Sequence, residues 1–273
     1  MSDSPFKGIN KEKDDLWFSD LKRKRKSGPE LCTHDYTGLG ESTKSIHAGQ
    51  YNDPITGAIG TPIFQNSTFS LNKKIYAAIE EGRTRDNFIY SRYGNPSQWA
   101  VQQKIATLEN AQSSIVFSSG MAAITSTIFA LVEKGCHVVT SRDLYGGTYN
   151  LIYEDLQKFG ISTTFVDMTD SEAIEAAVTD KTKLLYFESL SNPLLKIAPI
   201  EDLVRIAKKN GCRLVIDNTF LTPYNIKLLN YGVDVVINSA TKYLGGHSDL
   251  VAGTISGSRK LVDQIWPQML KIG

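Results

Sequence analysis

From Ser114 onward, short β-branched apolar runs alternate with stretches of helical periodicity. The runs are Ile115–Phe117, His137–Thr140, Thr163–Val166, Leu184–Phe187, Leu214–Ile216 and Val233–Ile237, and a last one, Leu250–Ile255, follows a Gly-rich turn. Between them Ala122–Glu133, Thr148–Lys158, Ser171–Val178 and Ile200–Asn210 read as helices, with a final helix over Leu261–Leu270. Continuous apolar strands are buried on both faces, and helices of this length serve as crossovers between parallel strands. The pattern predicts an α/β domain over residues 114–273, built on a mostly parallel, doubly wound sheet.

The upstream chain reads differently. Residues 41–113 are punctuated by Gly57, Gly60, Pro62 and Pro96, and Gln65, Asn66 and Ser67 interrupt the apolar pattern. One helix is predicted, from Pro96 to Asn110, with Pro96 suited to its first turn. Such a segment is expected to drape over its own domain or a second subunit as an arm. Residues 1–40 are polar and read as a flexible extension. Their run Lys22–Lys26 has no interleaved aromatics and reads as a solvated tail rather than a nucleic-acid patch.

Composition narrows the function classes. Thirty basic and 29 acidic side chains give a net charge of +1, which excludes a molecule-wide electrostatic grip on nucleic acid. Cys32, Cys136 and Cys212 are too scattered for a disulfide framework, and Cys32 with His34 makes no metal site, so a reducing cytoplasmic setting is expected and no metal. The best apolar run, Ala122–Val132, is broken by Thr and Ser and is too short to span a bilayer.

In an open parallel sheet, ligands bind beyond the C-terminal strand ends. After Ile115–Phe117 comes Ser118-Ser119-Gly120-Met121-Ala122-Ala123, where small residues and the first free helix amides suit an anion, although a plain strand-to-helix turn looks the same. Neither a G-x-G-x-x-G nor a G-x-x-x-x-G-K-[ST] motif occurs, which removes the main support for dinucleotide or ATP-loop readings. Asp217 follows the run Leu214–Ile216; it is either a helix cap or a desolvated carboxylate in need of a cationic partner or several donors. Lys242 follows Val233–Ile237 beside the hydroxyls of Ser239 and Thr241; it is either a surface charge or an amine with a burial-lowered pKa. Tyr145, between strand and helix and beside Gly146 and Gly147, offers an aromatic face. A phosphate cradle, a buried carboxylate and an activated lysine at one sheet edge together suit pyridoxal 5′-phosphate (PLP).

These motifs stand in one order: STKSIHAGQ, Tyr90-Ser91-Arg92-Tyr93-Gly94-Asn95-Pro96, SSGMAA, LYGGT, SLSNPLLK, DNTF and SATKYLGGHSD. In that order the chain resembles, over roughly residues 43–273, the fold-type-I PLP enzymes of cysteine and methionine metabolism. The resemblance implies Lys242 as the Schiff-base lysine and Asp217 as partner of the ring nitrogen. It implies that Tyr145 stacks on the ring and handles substrate protons, and that Asn192 contacts the ring oxygen. Ser119, Gly120 and Met121, with Ser239 and Thr241, would hold the phosphate. Tyr90 and Arg92 would reach the phosphate of a neighbouring subunit in a dimer or tetramer, where a guanidinium fork suits a phosphate.

The implied activity is trans-sulfuration on a sulfur amino acid, foremost γ-elimination from cystathionine, with γ-replacement on an acylated homoserine as the alternative. Gly147 stands where methionine γ-lyases commonly carry a cysteine, which argues mildly against that enzyme. The family's further C-terminal domain supplies an arginine for the substrate carboxylate, and no residue here takes that role, so the chain is expected to bind PLP with weak or absent lyase activity. A Ser239-Ala-Thr-Lys242 match to the acyl-transfer motif S-x-x-K lacks its S-D-N and K-T-G companions.

Overall fold

The computed structural model describes residues 35–51, 53 and 56–273. The basic run Lys22–Lys26, Cys32 and His34 lie outside the described residues. In chain order the elements begin with helices α1 (Glu41–His47), α2 (Lys73–Glu80) and α3 (Pro96–Glu109). Then follow β1 (Ser113–Phe117), α4 (Gly120–Leu131), β2 (His137–Ser141), α5 (Gly146–Asn150), β3 (Ser162–Val166) and α6 (Ser171–Ala176). The chain continues through β4 (Thr182–Glu188), α7 (Ile200–Asn210), β5 (Arg213–Asp217), α8 (Thr222–Asn225), β6 (Val235–Asn238), β7 (Gly253–Gly257) and α9 (Arg259–Ile272).

Two compact units share the chain: residues 36–48 with 101–273, and a smaller one from residue 49 to residue 100. The larger unit holds a seven-stranded sheet in the order β1-β7-β6-β5-β4-β2-β3. The pairs β2–β3, β2–β4, β4–β5 and β5–β6 are parallel, whereas β7 runs antiparallel to both β1 and β6. Successive strand residues point to opposite faces. Accordingly Val138, Leu184, Tyr186, Val215 and Ile237 pack with α4 and α9, while Val139, Leu185, Phe187, Leu214 and Ile216 pack with α6 and α7. Both faces are covered, as the uninterrupted apolar runs require.

Local chemistry sets the helix ends. Ser119 caps α4 by accepting from Ala122 N at 3.0 Å, and Asp170 caps α6 through Ala173 N at 2.9 Å. In α7, Glu201 and Asp202 lie in the first turn and Lys208 and Lys209 in the last, and Gly211 ends it at φ 65°. The expected helix Thr148–Lys158 is α5 continued by a π-helical stretch, Leu151–Asp155, and a last turn, Leu156–Lys158.

Two strands are displaced from their expected bounds. The run Val233–Ile237 pairs only from Val235. The run Leu250–Ile255 begins its strand at Gly253, leaving Leu250 and Val251 exposed. A Cβ at Gly253 would collide with the Ser119 carbonyl, so only glycine lets β7 approach the turn between β1 and α4 this closely.

In the smaller unit, Asn72 caps α2 by accepting from Ile75 N at 3.0 Å. An antiparallel bridge joins Thr68 to Tyr90, and the Asn95 side chain donates to Phe64 O at 3.0 Å. Arg92 lies 5.8 Å from the Tyr90 ring centroid and 5.2 Å from that of Tyr93.

Candidate active site

A cavity of about 300 Å³ opens at the C-terminal ends of β4, β5 and β6, where α4 begins. That is the lower end of the size range of small-molecule sites. Ser119, Gly120, Met121, Tyr145, Asn192, Asp217, Ser239, Thr241 and Lys242 all line it. Tyr90 and Arg92 belong to the smaller unit and are not among the lining residues.

The anion corner is built by close approach. A Cβ on Gly120 would stand 2.8 Å from Ser239 Cβ and 2.9 Å from its hydroxyl, so glycine there brings the first turn of α4 against the end of β6. The free amides of Gly120 and Met121 and the Ser239 hydroxyl thereby share one corner. The Ser119 hydroxyl is committed to its cap, and Thr241 donates its hydroxyl to Ala252 O at 3.2 Å.

Asp217 is buried at the end of β5. Its Oδ1 accepts from the Thr219 amide at 3.0 Å and the Thr219 hydroxyl at 2.5 Å, and the Tyr186 hydroxyl stands 3.5 Å from Oδ2. Burial pushes its carboxyl above the ordinary range, against the pull of those donors, and no cation among the described residues pairs with it. The Thr219 hydroxyl also accepts from Ser239 N at 2.7 Å, tying β5 to the segment that carries Lys242. Lys242 itself is exposed although it lines the cavity, which is the surface-charge alternative of the two the sequence left open.

Tyr145 precedes α5 and is exposed. Its amide donates to Glu188 Oε1 at 2.7 Å, and a Cβ on Gly147 would stand 2.8 Å from its ring, so that glycine leaves the ring its place. Glu188, which the sequence reading does not include among the site residues, follows the run Leu184–Phe187 just as Asp217 follows its own. Burial first, then the charge of Asp217, pushes its carboxyl up to about 8. Thr219, Phe220 and Val251 also line the cavity unforeseen.

The profile of the Cys/Met metabolism PLP-dependent enzymes matches residues 42–273. The chain belongs to that family. It is 38% identical over 229 residues to an L-methionine gamma-lyase of Treponema denticola, covering 83% of this chain and 57% of the relative. It is 42% identical over 219 residues to a probable cystathionine gamma-synthase of Herpetosiphon aurantiacus, covering 80% and 66%. The crystal structure of a cystathionine gamma-lyase from Lactobacillus plantarum, complexed with L-serine, superposes with a TM-score of 0.78 at 39% identity, over 86% of this chain and 59% of that one. The chain thus spans about three fifths of the length of these relatives.

The residues present fit the family's cofactor. Asp217 is a buried carboxyl with no cationic partner among the described residues, and a protonated pyridine nitrogen supplies one. The Gly120 corner is a cradle that any side chain would fill. Among the described residues, no group of three or more His, Cys, Asp or Glu side chains could hold a metal ion, and no helix is long and apolar enough to cross a membrane.

Proposed function

We propose that these residues form the cofactor-binding part of a PLP-dependent trans-sulfuration enzyme that cleaves the Cγ–S bond of cystathionine or a closely related sulfur amino acid. The observation that carries this reading is the meeting of Lys242, Asp217 and the Gly120–Ser239 corner in one cavity. PLP supplies an electrophilic aldehyde and an electron-accepting ring.

In this reading the Lys242 amine would bind the cofactor's aldehyde and would take and return the proton at the substrate Cα. Asp217 keeps the ring nitrogen protonated. Tyr145 would cover one ring face and handle substrate protons, and Asn192 would contact the ring oxygen. The amides of Gly120 and Met121 and the Ser239 hydroxyl would hold the phosphate dianion, with the Ser119 hydroxyl donating its own proton while it caps α4 and the Thr241 hydroxyl turning from Ala252 O. Tyr90 and Arg92 complete that phosphate site from a second copy of the chain, so the working unit is a dimer or larger. The sparse, scattered cysteines suit a reducing cytoplasm.

The test is cofactor binding followed by product analysis. PLP added to the purified chain gives an absorbance band at the edge of the visible that is lost in Lys242→Ala; retention of the band in that variant sinks the reading. Release of a 2-oxo acid from cystathionine supports elimination. Formation of cystathionine from an acylated homoserine and cysteine supports replacement, the second reading, which the gamma-synthase relative favours.

A further inference from the structure

Glu109 ends α3 and Asn238 ends β6, and neither side chain reaches solvent: their exposures are 0% and 1%. Asn238 Nδ2 donates to Glu109 Oε1 at 2.7 Å. The other oxygen of each side chain, Glu109 Oε2 and Asn238 Oδ1, is buried without a hydrogen-bond partner. Two orphaned acceptors on one bonded pair are costly. A single proton on Oε2 removes both faults. A carboxylic acid and a primary amide are complementary: the amide N–H bonds one carboxyl oxygen and the acid O–H bonds the amide oxygen, closing a ring. The one bond present and the two atoms left over are the halves of that ring.

We propose that Glu109 is held as the neutral acid in a cyclic pair with Asn238, and that it is a positioning residue for the segment Ser239–Lys242. That segment leaves β6 directly after Asn238. Its other side is already fixed, through Ser239 N on the Thr219 hydroxyl and the Thr219 hydroxyl on Asp217. Glu109 therefore anchors from outside the cavity the strand end that Asp217 anchors from within.

Burial pushes the Glu109 carboxyl up to about 7, against the Asn238 amide and the field of Lys227. Lys227 is engaged elsewhere: its ammonium donates to Leu108 O at 2.5 Å and to Glu41 Oε2 at 2.8 Å, and Glu41 also pairs with Lys44 at 3.2 Å.

The decisive variant is Glu109→Gln, which can close the same ring as an amide–amide pair but cannot titrate. In the cofactor-free chain, the infrared difference between wild type and Glu109→Gln at about pH 6 should contain a protonated-carboxyl band, and that band should fade in wild type as pH rises through about 7. Glu109→Gln should unfold at a midpoint equal to wild type at about pH 6, whereas Glu109→Ala should unfold earlier. Absence of the band, or a Gln variant as unstable as the Ala variant, overturns the proposal.

The link to the cofactor rests on the PLP reading given above. There, Glu109→Ala should weaken PLP binding roughly tenfold and Glu109→Gln should restore it to within about twofold. If Ala binds as tightly as wild type, Glu109 positions nothing. If wild type binds no PLP, the functional reading fails while the infrared and unfolding results still decide the pair.

Discussion

Glu188 and Asp217 occupy paired register positions on the adjacent parallel strands β4 and β5, and both line the cavity. Parallel neighbours in register point the same way, so two carboxyls share one desolvated corner. Two like charges there are costly to hold, and with Asp217 beside it Glu188 keeps a proton at neutral pH in the cofactor-free protein.

This pair sets the pH dependence of the cofactor-free fold. Burial, and then the Asp217 charge, push the folded Glu188 carboxyl up to about 8, against an ordinary value of 4.5. Between those values the folded chain binds the proton and the unfolded chain does not, so stability falls as pH rises and levels off above about 8. Asp217 is shifted in the same direction and adds to the fall. Urea unfolding of the cofactor-free chain should lose on the order of a few kcal/mol from about pH 5 to about pH 8. Glu188→Gln should flatten that slope; a variant with the wild-type slope contradicts the assignment.

Asp217 is kept at a cost to the cofactor-free fold. Asp217→Asn removes a buried carboxyl while leaving an oxygen to accept from Thr219. Its unfolding midpoint should equal or exceed that of wild type at neutral pH. On the proposed function its PLP affinity should fall roughly 10–100-fold, because the ring nitrogen would lose its anionic partner. Direct titration with PLP and urea unfolding check the two halves separately.

Gly120 tests the close approach. Its Cβ position lies 2.8 Å from Ser239 Cβ, so Gly120→Ala must push β6 and α4 apart. The expected loss is about 1–3 kcal/mol of stability, together with weaker calorimetric binding of PLP. An unchanged midpoint would show that the corner yields freely.

Lys196 clamps two cavity loops. Its ammonium lies 2.8 Å from Asp143 Oδ2 and 3.0 Å from Asp167 Oδ2, joining the loop after Asn192 to the segment leading into Tyr145. These are partly solvated ion pairs, so global stability should change little in Lys196→Met. Amide hydrogen exchange in residues 143–147 and 190–197 should quicken, and added salt should do the same to wild type. Unchanged exchange in both segments would remove the clamp.

Much of the cavity lining was legible because ligand-binding side chains in such sheets follow the strands. Asp217, Lys242 and Tyr145 each stand just past an apolar run, and Gly120 opens the helix after another. Glu188 obeys the same rule, standing between the run Leu184–Phe187 and the motif that opens at Ser189, but a lone glutamate there reads equally as a solvated strand end. The Glu109–Asn238 pair gave no local signal: a glutamate at a helix end reads as a solvated charge, and its partner lies 129 residues away.

The alternation of apolar runs and helical stretches by itself determined the α/β class, since strands without a polar face must be covered on both sides. The ordered motifs determined the family. Strand order, and the antiparallel insertion of β7 between β1 and β6, were decided only in the tertiary structure, because an apolar run buried on both faces carries no mark of its direction or neighbours. The exposure of Lys242 and the burial of Glu109 were decided there too. Desolvation depends on what the rest of the chain packs against a side chain, and no local spacing records that.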